Sequence, residues 1–207
     1  MNKDKSLNIV LIFTEAYLLF FALYGLFKGN KEFVYYGLIV LVIFVLLVRY
    51  HKTLQLSFSS LVGLSFAQLI HVLGGNLYIH GIRLYDTWLI ENIVKYDNFV
   101  HFVTSFILVL AVYDMVKNYL HEKMHYNKIV LYLLMVFIVL GIGAVNEIME
   151  LGAVLFFNAG DRVGDYLNNA FDLVFNFLGS SVAMIWILSK KEYLVEHKQR
   201  KMLKKKI

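Results

Sequence analysis

The chain has 207 residues, of which 59% are hydrophobic and 17% are charged, and its formal net charge is +5. A soluble domain of this size does not need so much apolar surface, so the composition predicts that the lipid bilayer is the solvent. The absence of cysteine excludes disulfides and thiolate chemistry. Because proline is also absent, any kink in a helix must come from glycine or a polar insertion.

The hydropathy pattern predicts an all-α polytopic membrane bundle of about six transmembrane helices, at 8–27, 33–48, 57–79, 98–116, 128–157 and 168–188. The third span is expected to be interrupted at Gly74 and Gly75. Residues 81–96 are too polar to cross a membrane, and they carry Tyr85, Trp88 and aliphatic residues at helical spacing. This pattern predicts an interfacial amphipathic helix or a re-entrant loop between spans 3 and 4.

The basic residues predict the orientation of these spans. Fifteen of the 20 Lys and Arg residues fall in the N-terminal segment, the loops after spans 2 and 4, and the C-terminal tail. The positive-inside rule therefore predicts a multi-pass plasma-membrane protein with both termini in the cytoplasm. The spans and the basic C-terminal segment together predict a single transmembrane domain, 1–189, and a basic cytoplasmic tail, 190–207. The expected partners are membrane lipids, and the positive charge gives no reason to expect nucleic acid.

Polar side chains of four spans are predicted to meet near the outer membrane boundary. A rise of ~1.5 Å per residue places them at one depth, and in span 6 they recur every three or four residues along one face. The members of this polar set are His71 in span 3, Asp97 and His101 in span 4, Glu147 and Glu150 in span 5, the loop residues Asp161, Arg162 and Asp165, and Asn169, Asp172, Asn176 and Gly179 in span 6.

Two accounts of this polar set compete. Amides and small residues can hold helices together, which suffices for Asn169 and Asn176. The carboxylates face few counter-charges, so either some are protonated or a cation lies among them. A divalent metal held by an oxygen-rich ligand set is one hypothesis, and its ligands would be His101, Glu147, Glu150, Asp165 and Asp172. A proton relay or cation pathway through the same residues is the other, although Glu15 alone could continue such a path in the inner half.

Several motifs carry a family resemblance. They are Leu73-Gly74-Gly75-Asn76, Tyr96-Asp97 with His101-Phe102, Asn146-Glu147 with Glu150, and Asp172 with Asn176 and Gly179. In order and spacing they resemble the YjdF-like family of bacterial inner-membrane proteins. More loosely they are similar to VanZ-like membrane proteins, which are associated with the cell envelope. Neither resemblance implies an agreed reaction.

The leading functional hypothesis is an outward-facing site that acts on or binds a membrane or envelope molecule. Such an enzyme would be a metal-assisted hydrolase or transferase with a lipid-linked substrate. Its candidate catalytic residues are His101, Glu147 and Glu150. The alternatives are a non-catalytic scaffold or envelope accessory protein, in which the polar set is structural, and an ion-coupled transporter, which would need a continuous polar path.

Overall fold

A computed structural model describes residues 3–121, 124, 127–160 and 164–204; for 3–4 and 191–204 it describes the backbone alone. Six helices in these residues are long and apolar enough to cross a membrane, which confirms the all-α membrane bundle. No proline interrupts them. Their bounds are α1 Lys3–Lys28, α2 Lys31–Arg49, α3 Phe58–Asn76, α4 Tyr96–Val116, α5 Lys128–Phe157 and α6 Tyr166–Lys204.

Short connections make successive helices run in opposite directions, so the bundle has two distinct ends. At one end Asn30, between α1 and α2, donates to the carbonyl of Gly75 at 3.2 Å. We call this the hairpin end, because the α3–α4 connection lies there. At the opposite end the backbone N–H of Ser57 donates to Asp114 of α4 at 3.1 Å. We call that the terminal end, because α1 begins there and α6 runs toward it.

The connection between α3 and α4 consists of two small hairpins, so the expected interfacial helix is wrong. Strands β1 (Tyr78–Ile79) and β2 (Ile82–Arg83) pair antiparallel, a 3-10 turn covers Leu84–Asp86, and β3 (Trp88–Ile90) pairs with β4 (Val94–Lys95). His80 and Gly81 both have positive φ, at 51° and 81°. Two such residues in succession close a two-residue hairpin, which stops an α-helix from forming there.

Glycines let the helices approach closely where the polar residues gather. Helix α3 runs unbroken through Gly74 and Gly75, contrary to the predicted interruption. A Cβ atom at Gly75 would lie 1.7 Å from Cζ of Phe33, so the glycine lets the Phe33 ring of α2 pack directly against α3. A Cβ atom at Gly179 would lie 2.1 Å from the carbonyl oxygen of Phe102, which sets α6 directly against α4 beside His101.

The terminal half of the bundle is closed by an apolar core. Fully buried side chains of α4, α5 and α6 fill it, including Val109, Met135, Val139 and Met184. The polar side chains of these three helices therefore concentrate toward the hairpin end.

Candidate metal centre

His101 lies at the centre of the polar residues that the helices bring together. Its Nε2 atom is 3.6 Å from Oδ1 of Asp97, one turn earlier on α4, and 3.6 Å from Oδ1 of Asp172 on α6. The Asp172 side chain is only 1% exposed, and that of His101 is 13% exposed. Two ligands of one small cation, each at ~2.0–2.2 Å, are separated by about 3–3.5 Å. The spacing of these three side chains therefore suits a shared cation.

Asn168 holds the two carboxylates in place. Its Nδ2 atom donates to Oδ2 of Asp97 at 3.2 Å and to Oδ2 of Asp172 at 3.0 Å, so it bridges α4 and α6. Asp165 precedes α6 and accepts a hydrogen bond from the backbone N–H of Asn168 at 3.0 Å. That bond caps the first turn of α6 and so fixes the backbone position of Asn168. Partners of this kind orient metal-binding carboxylates in proteins.

The imidazole of His101 is oriented from its other side by Asn176. The Oδ1 atom of Asn176 accepts from Ser105 Oγ at 2.7 Å and lies 3.3 Å from Nδ1 of His101. An amide oxygen is an acceptor, so Nδ1 carries the ring proton in this arrangement. The lone pair of a neutral imidazole then lies on Nε2, which faces Asp97 and Asp172.

Glu147 and Glu150 approach His101 from α5. Ligand atoms of His101, Glu147 and Glu150 lie within 4.8 Å of one another. Asn146 donates to Oε1 of Glu150 at 2.8 Å. Both carboxylate oxygens of Glu147 are buried, and neither accepts a hydrogen bond from a described residue. A buried carboxylate in that state is costly unless water, a proton or a cation compensates it.

A central cavity of about 30 Å³ lies beside these groups. Its volume is about that of one water molecule. His101, Glu150 and Asp97 line it, and so do several side chains that the sequence-based site did not include. These additional residues are Glu32, Phe33 and Tyr36 of α2 and Arg83 and Tyr85 of the α3–α4 connection.

Glu32 and Tyr36 could not be recognised from hydropathy. Glu32 is 3% exposed, yet in the sequence it looks like an ordinary acidic residue in the first turn of an apolar helix. A usable signal was the spacing of the two residues by one helical turn. His71 also lines this cavity, and its Nδ1 atom is hydrogen-bonded to the phenol of Tyr85.

The α3–α4 connection supplies positive charge and a buried phenol at the edge of the central cavity. Burial raises the pKa of Tyr85 well above its ordinary value, and the negative charges of Asp97 and Glu150 act in the same direction. Burial lowers the pKa of Arg83, but the hydrogen bond and charge of Asp86 outweigh it, so the pKa of Arg83 is raised. Tyr85 therefore stays a neutral phenol and Arg83 a cation at physiological pH.

The structure gathers most, but not all, of the predicted residues. Asp97, His101 and Asp172 form one group of ligand atoms, and His101, Glu147 and Glu150 form a second. Asp165 belongs to neither group and is exposed at the start of α6. Of the supporting residues, His71 and Asn176 contact the site, Gly179 packs against α4, and the buried Oδ1 of Asn169 has no hydrogen-bond partner in the part of the chain that the structure describes. Asp161 and Arg162 lie outside the described residues.

Comparison with models of protein families identifies the family of this chain. The model of a family described as predicted membrane protein (DUF2238) matches residues 9–192. The YjdF-like family is the same family, so that resemblance is confirmed, whereas the similarity to VanZ-like proteins is not shown. No curated protein and no solved structure matches the chain.

Proposed function

We propose that this chain, which belongs to the DUF2238 family of predicted membrane proteins, is a divalent-cation-dependent hydrolase or transferase with a membrane-associated substrate. The coarse part of this statement is that of a predicted membrane protein whose described residues include six helices long and apolar enough to cross a membrane, and it rests on the family match and the fold. The reaction is our inference from the side chains around His101.

One observation carries the proposal. Asp172 is 1% exposed, its Oδ1 atom has no hydrogen-bond partner among the described residues, and that atom faces Nε2 of His101 at 3.6 Å. Asp97 lies at the same distance from the same nitrogen. A buried carboxylate would normally be paired or hydrogen-bonded through both oxygens. A cation between the two carboxylates and the imidazole would satisfy all three groups.

The two sets of acids suit different roles. Asp97, His101 and Asp172 are held by Asn168 and Asn176 and would bind the cation. A bound divalent ion supplies a Lewis acid that makes water easier to deprotonate. The two buried oxygens of Glu147 have no hydrogen-bond partner among the described residues, and Glu147 would act as the general base.

In a hydrolysis, the Glu147 carboxylate would take a proton from the attacking water. The water oxygen would then bond to the electrophilic carbon or phosphorus. As the bond to the leaving oxygen breaks, protonated Glu147 would return its proton to that oxygen. An alcohol of an acceptor molecule in place of water gives the corresponding transfer.

The charge distribution supports an outward-facing site. The terminal end carries the start of α1, the α2–α3 and α4–α5 loops and the basic end of α6, which hold twelve of the Lys and Arg residues that the structure describes. The positive-inside rule then puts the hairpin end outside the cytoplasm. A substrate of the cell envelope or of the outer leaflet of a plasma membrane fits this orientation.

A scaffold role is the main alternative, and one set of contacts favours it. Asn168, Asn176 and Ser105 hydrogen-bond across α4 and α6, as polar residues that stabilise helix packing do. Transport is less well supported, because the apolar core around Val109 and Met135 closes the terminal half of the described bundle. The scaffold role and the enzyme role differ in whether a cation binds.

Cation binding by purified protein tests the proposal. Protein stripped with EDTA would be titrated with Mn²⁺, Zn²⁺ and Mg²⁺ by calorimetry, and bound metal would be counted by mass spectrometry after dialysis. We expect saturable binding by the wild type and its loss in Asp172→Asn.

Asp114→Asn is the matched control. Asp114 is a buried acid of α4 at the terminal end, and it is already paired with Lys117 and Ser60. This variant should bind the cation as the wild type does. A wild type that binds none of the three metals would refute the proposal and leave the scaffold role.

A further inference from the structure

An apolar groove of about 240 Å³ lies beside the central cavity, between α2, α3, α4 and α5. Ile43 of α2 and Ile142 and Val145 of α5 line it and are 48%, 39% and 54% exposed. The groove therefore opens sideways, between α2 and α5. Because the sides of a membrane-spanning bundle face hydrocarbon, this opening is accessible to lipids from within the bilayer.

The lining of the groove carries no formal charge and is polar at one end only. None of the described residues that line it is Asp, Glu, Lys or Arg. Toward the terminal end its walls are hydrocarbon, formed by Leu47, Leu64, Leu108 and Ile142. The polar side chains that α2, α3, α4 and α5 contribute all lie nearer the hairpin end. An uncharged amphiphile matches this lining, because a charged group would lose its hydration there without gaining a counter-charge.

A buried hydrogen-bond donor without an acceptor lies where the polar and apolar parts of the groove meet. Asn176 lines the groove and is 3% exposed, and its Nδ2 atom has no hydrogen-bond partner among the described residues. Its Oδ1 atom is already engaged by Ser105 and His101. A buried amide donor normally has a partner. An oxygen atom of a molecule in the groove would supply the missing acceptor.

Gly143 of α5 leaves room for that oxygen. A Cβ atom at Gly143 would lie 2.7 Å from Nδ2 of Asn176, so any side chain there would crowd the donor. Gly143 itself lines the groove. Gly141 lies two residues earlier on the same helix and outside the groove, and a Cβ atom there would meet no heavy atom within 4 Å. The two glycines therefore provide a matched pair of substitutions.

We infer that the apolar groove binds one uncharged, single-chain lipid that carries an alcohol or ester oxygen. That oxygen accepts a hydrogen bond from Nδ2 of Asn176, and the hydrocarbon chain extends toward Leu47 and Leu108. The central cavity is not part of this site. The inference goes beyond the proposed function, because binding of the lipid requires neither a cation nor a reaction.

Saturable photolabelling in phosphatidylcholine vesicles tests the inference. The probe is 1-dodecanol with a photoreactive diazirine on its chain, the buffer contains EDTA, and the labelled residues are mapped by mass spectrometry. We expect labelling of Leu108 and Ile142 that excess unlabelled 1-dodecanol suppresses at least about tenfold. Ile148 is 66% exposed on α5 and lines neither the groove nor the central cavity. It reports labelling from the bulk bilayer, which the competitor should not suppress.

Two further competitors with the same hydrocarbon chain separate the two features of the lining. Dodecane has no oxygen and leaves Nδ2 of Asn176 without an acceptor. Dodecyl phosphate has oxygens but brings a charge to an uncharged lining. At equal mole fractions in the bilayer, each should compete at least about tenfold less effectively than 1-dodecanol.

Substitutions in the protein test the position of the site. Gly143→Ala should make 1-dodecanol about tenfold less effective as a competitor, whereas Gly141→Ala should leave it unchanged. Ile43→Trp, from the opposite wall of the groove, repeats the test in case Gly143→Ala does not fold. Its control is Leu46→Trp, at a position of α2 that is 47% exposed and lies outside the groove.

The outcomes separate this inference from the proposed function. Labelling of the groove that does not saturate would overturn the inference, as it would if a second copy of the chain covered the groove. Equal competition by dodecane or dodecyl phosphate would overturn it as well, and so would equal effects of the groove variants and their controls. A protein that binds 1-dodecanol as expected but none of the three metals keeps this lipid site and loses the proposed function. The opposite pair of results keeps the proposed function and removes the lipid site.

Discussion

Asp97 on α4 and Asp172 on α6 share a hydrogen-bond donor, the Nδ2 atom of Asn168, which lies 3.2 Å from one carboxylate and 3.0 Å from the other. Their remaining Oδ1 atoms both lie 3.6 Å from Nε2 of His101. Two acids from different helices are thus aimed at one point. Four residues separated by up to 75 positions form this unit, so its geometry depends on how α4 and α6 pack together.

Asn168→Ala should weaken cation binding while leaving all three proposed ligands in place. Loss of the bridging donor frees both carboxylates to turn away from His101, and removal of such a partner typically costs about 10–100-fold in metal affinity. Calorimetric titration with Mn²⁺ or Zn²⁺ measures the change. Asn169→Ala is the control, because the Oδ1 atom of Asn169 accepts no hydrogen bond from a described residue. Equal affinity losses in the two variants would show that Asn168 has no special role.

Gly179→Ala should destabilise the bundle and also disturb the site. The new Cβ atom would lie 2.1 Å from the carbonyl oxygen of Phe102, so α4 and α6 must separate next to His101. Overpacking of this kind costs about 1–3 kcal/mol. Thermal unfolding in detergent measures the loss, and the cation titration should weaken in parallel.

Gly141→Ala is the matched control for the Gly179 prediction. A Cβ atom at Gly141 meets no heavy atom within 4 Å. Alanine in a helix interior is favoured over glycine by roughly 0.5–1 kcal/mol, so this variant should unfold at an equal or higher temperature. A Gly179→Ala protein as stable as Gly141→Ala would contradict the close crossing of α4 and α6.

Tyr85 should make the fold less stable at alkaline pH. Burial raises the pKa of Tyr85, so the folded protein keeps the phenolic proton at a pH where the unfolded chain has released it. The unfolded state then binds fewer protons, and the free energy of unfolding falls above about pH 10 by up to ~1.4 kcal/mol per pH unit. Below that pH both states are protonated, and the stabilisation is fully present.

Tyr85→Phe removes this ionisation and so isolates its contribution. Between pH 7 and 9 the variant should differ from the wild type by a constant amount, which reflects the lost hydrogen bond to His71. Above about pH 10 the difference should shrink, because only the wild type has this additional loss. Thermal unfolding across this pH range is the measurement. A difference that stays constant to pH 11 would refute the prediction.

The sequence predicted the helices well because membrane spans have a strong local signal. Long apolar runs defined all six, although the break predicted at Gly74 and Gly75 is absent from α3. Helical spacing placed Asp97 with His101 and Glu147 with Glu150. The α3–α4 connection was misassigned since its aliphatic spacing suits a helix, while the left-handed backbone at His80 and Gly81 decides the structure. Asp165 continues the polar face of α6 in sequence but precedes the helix and caps it.

The contribution of α2 could not be predicted, because it depends on contacts between distant parts of the chain. Glu32 and Tyr36 reach the central cavity only because Phe33 of α2 packs against Gly75 of α3. The hydropathy of α2 says nothing about which neighbour it packs against. An acid in the first turn of an apolar helix is common at a membrane boundary, so it did not indicate a site.

Glu147→Gln should raise the stability of the cation-free protein. Both oxygens of Glu147 are buried and accept no hydrogen bond from a described residue, so a neutral amide removes a desolvation cost of about 1–3 kcal/mol. For a chain of this length that is roughly 2–4 °C of unfolding temperature per kcal/mol. Residues retained for function at a cost in stability behave in this way. Glu91→Gln, at an exposed hairpin position, should change stability by less than ~0.5 kcal/mol. A lower unfolding temperature for Glu147→Gln would instead identify Glu147 as a stabilising contact between helices and favour the scaffold.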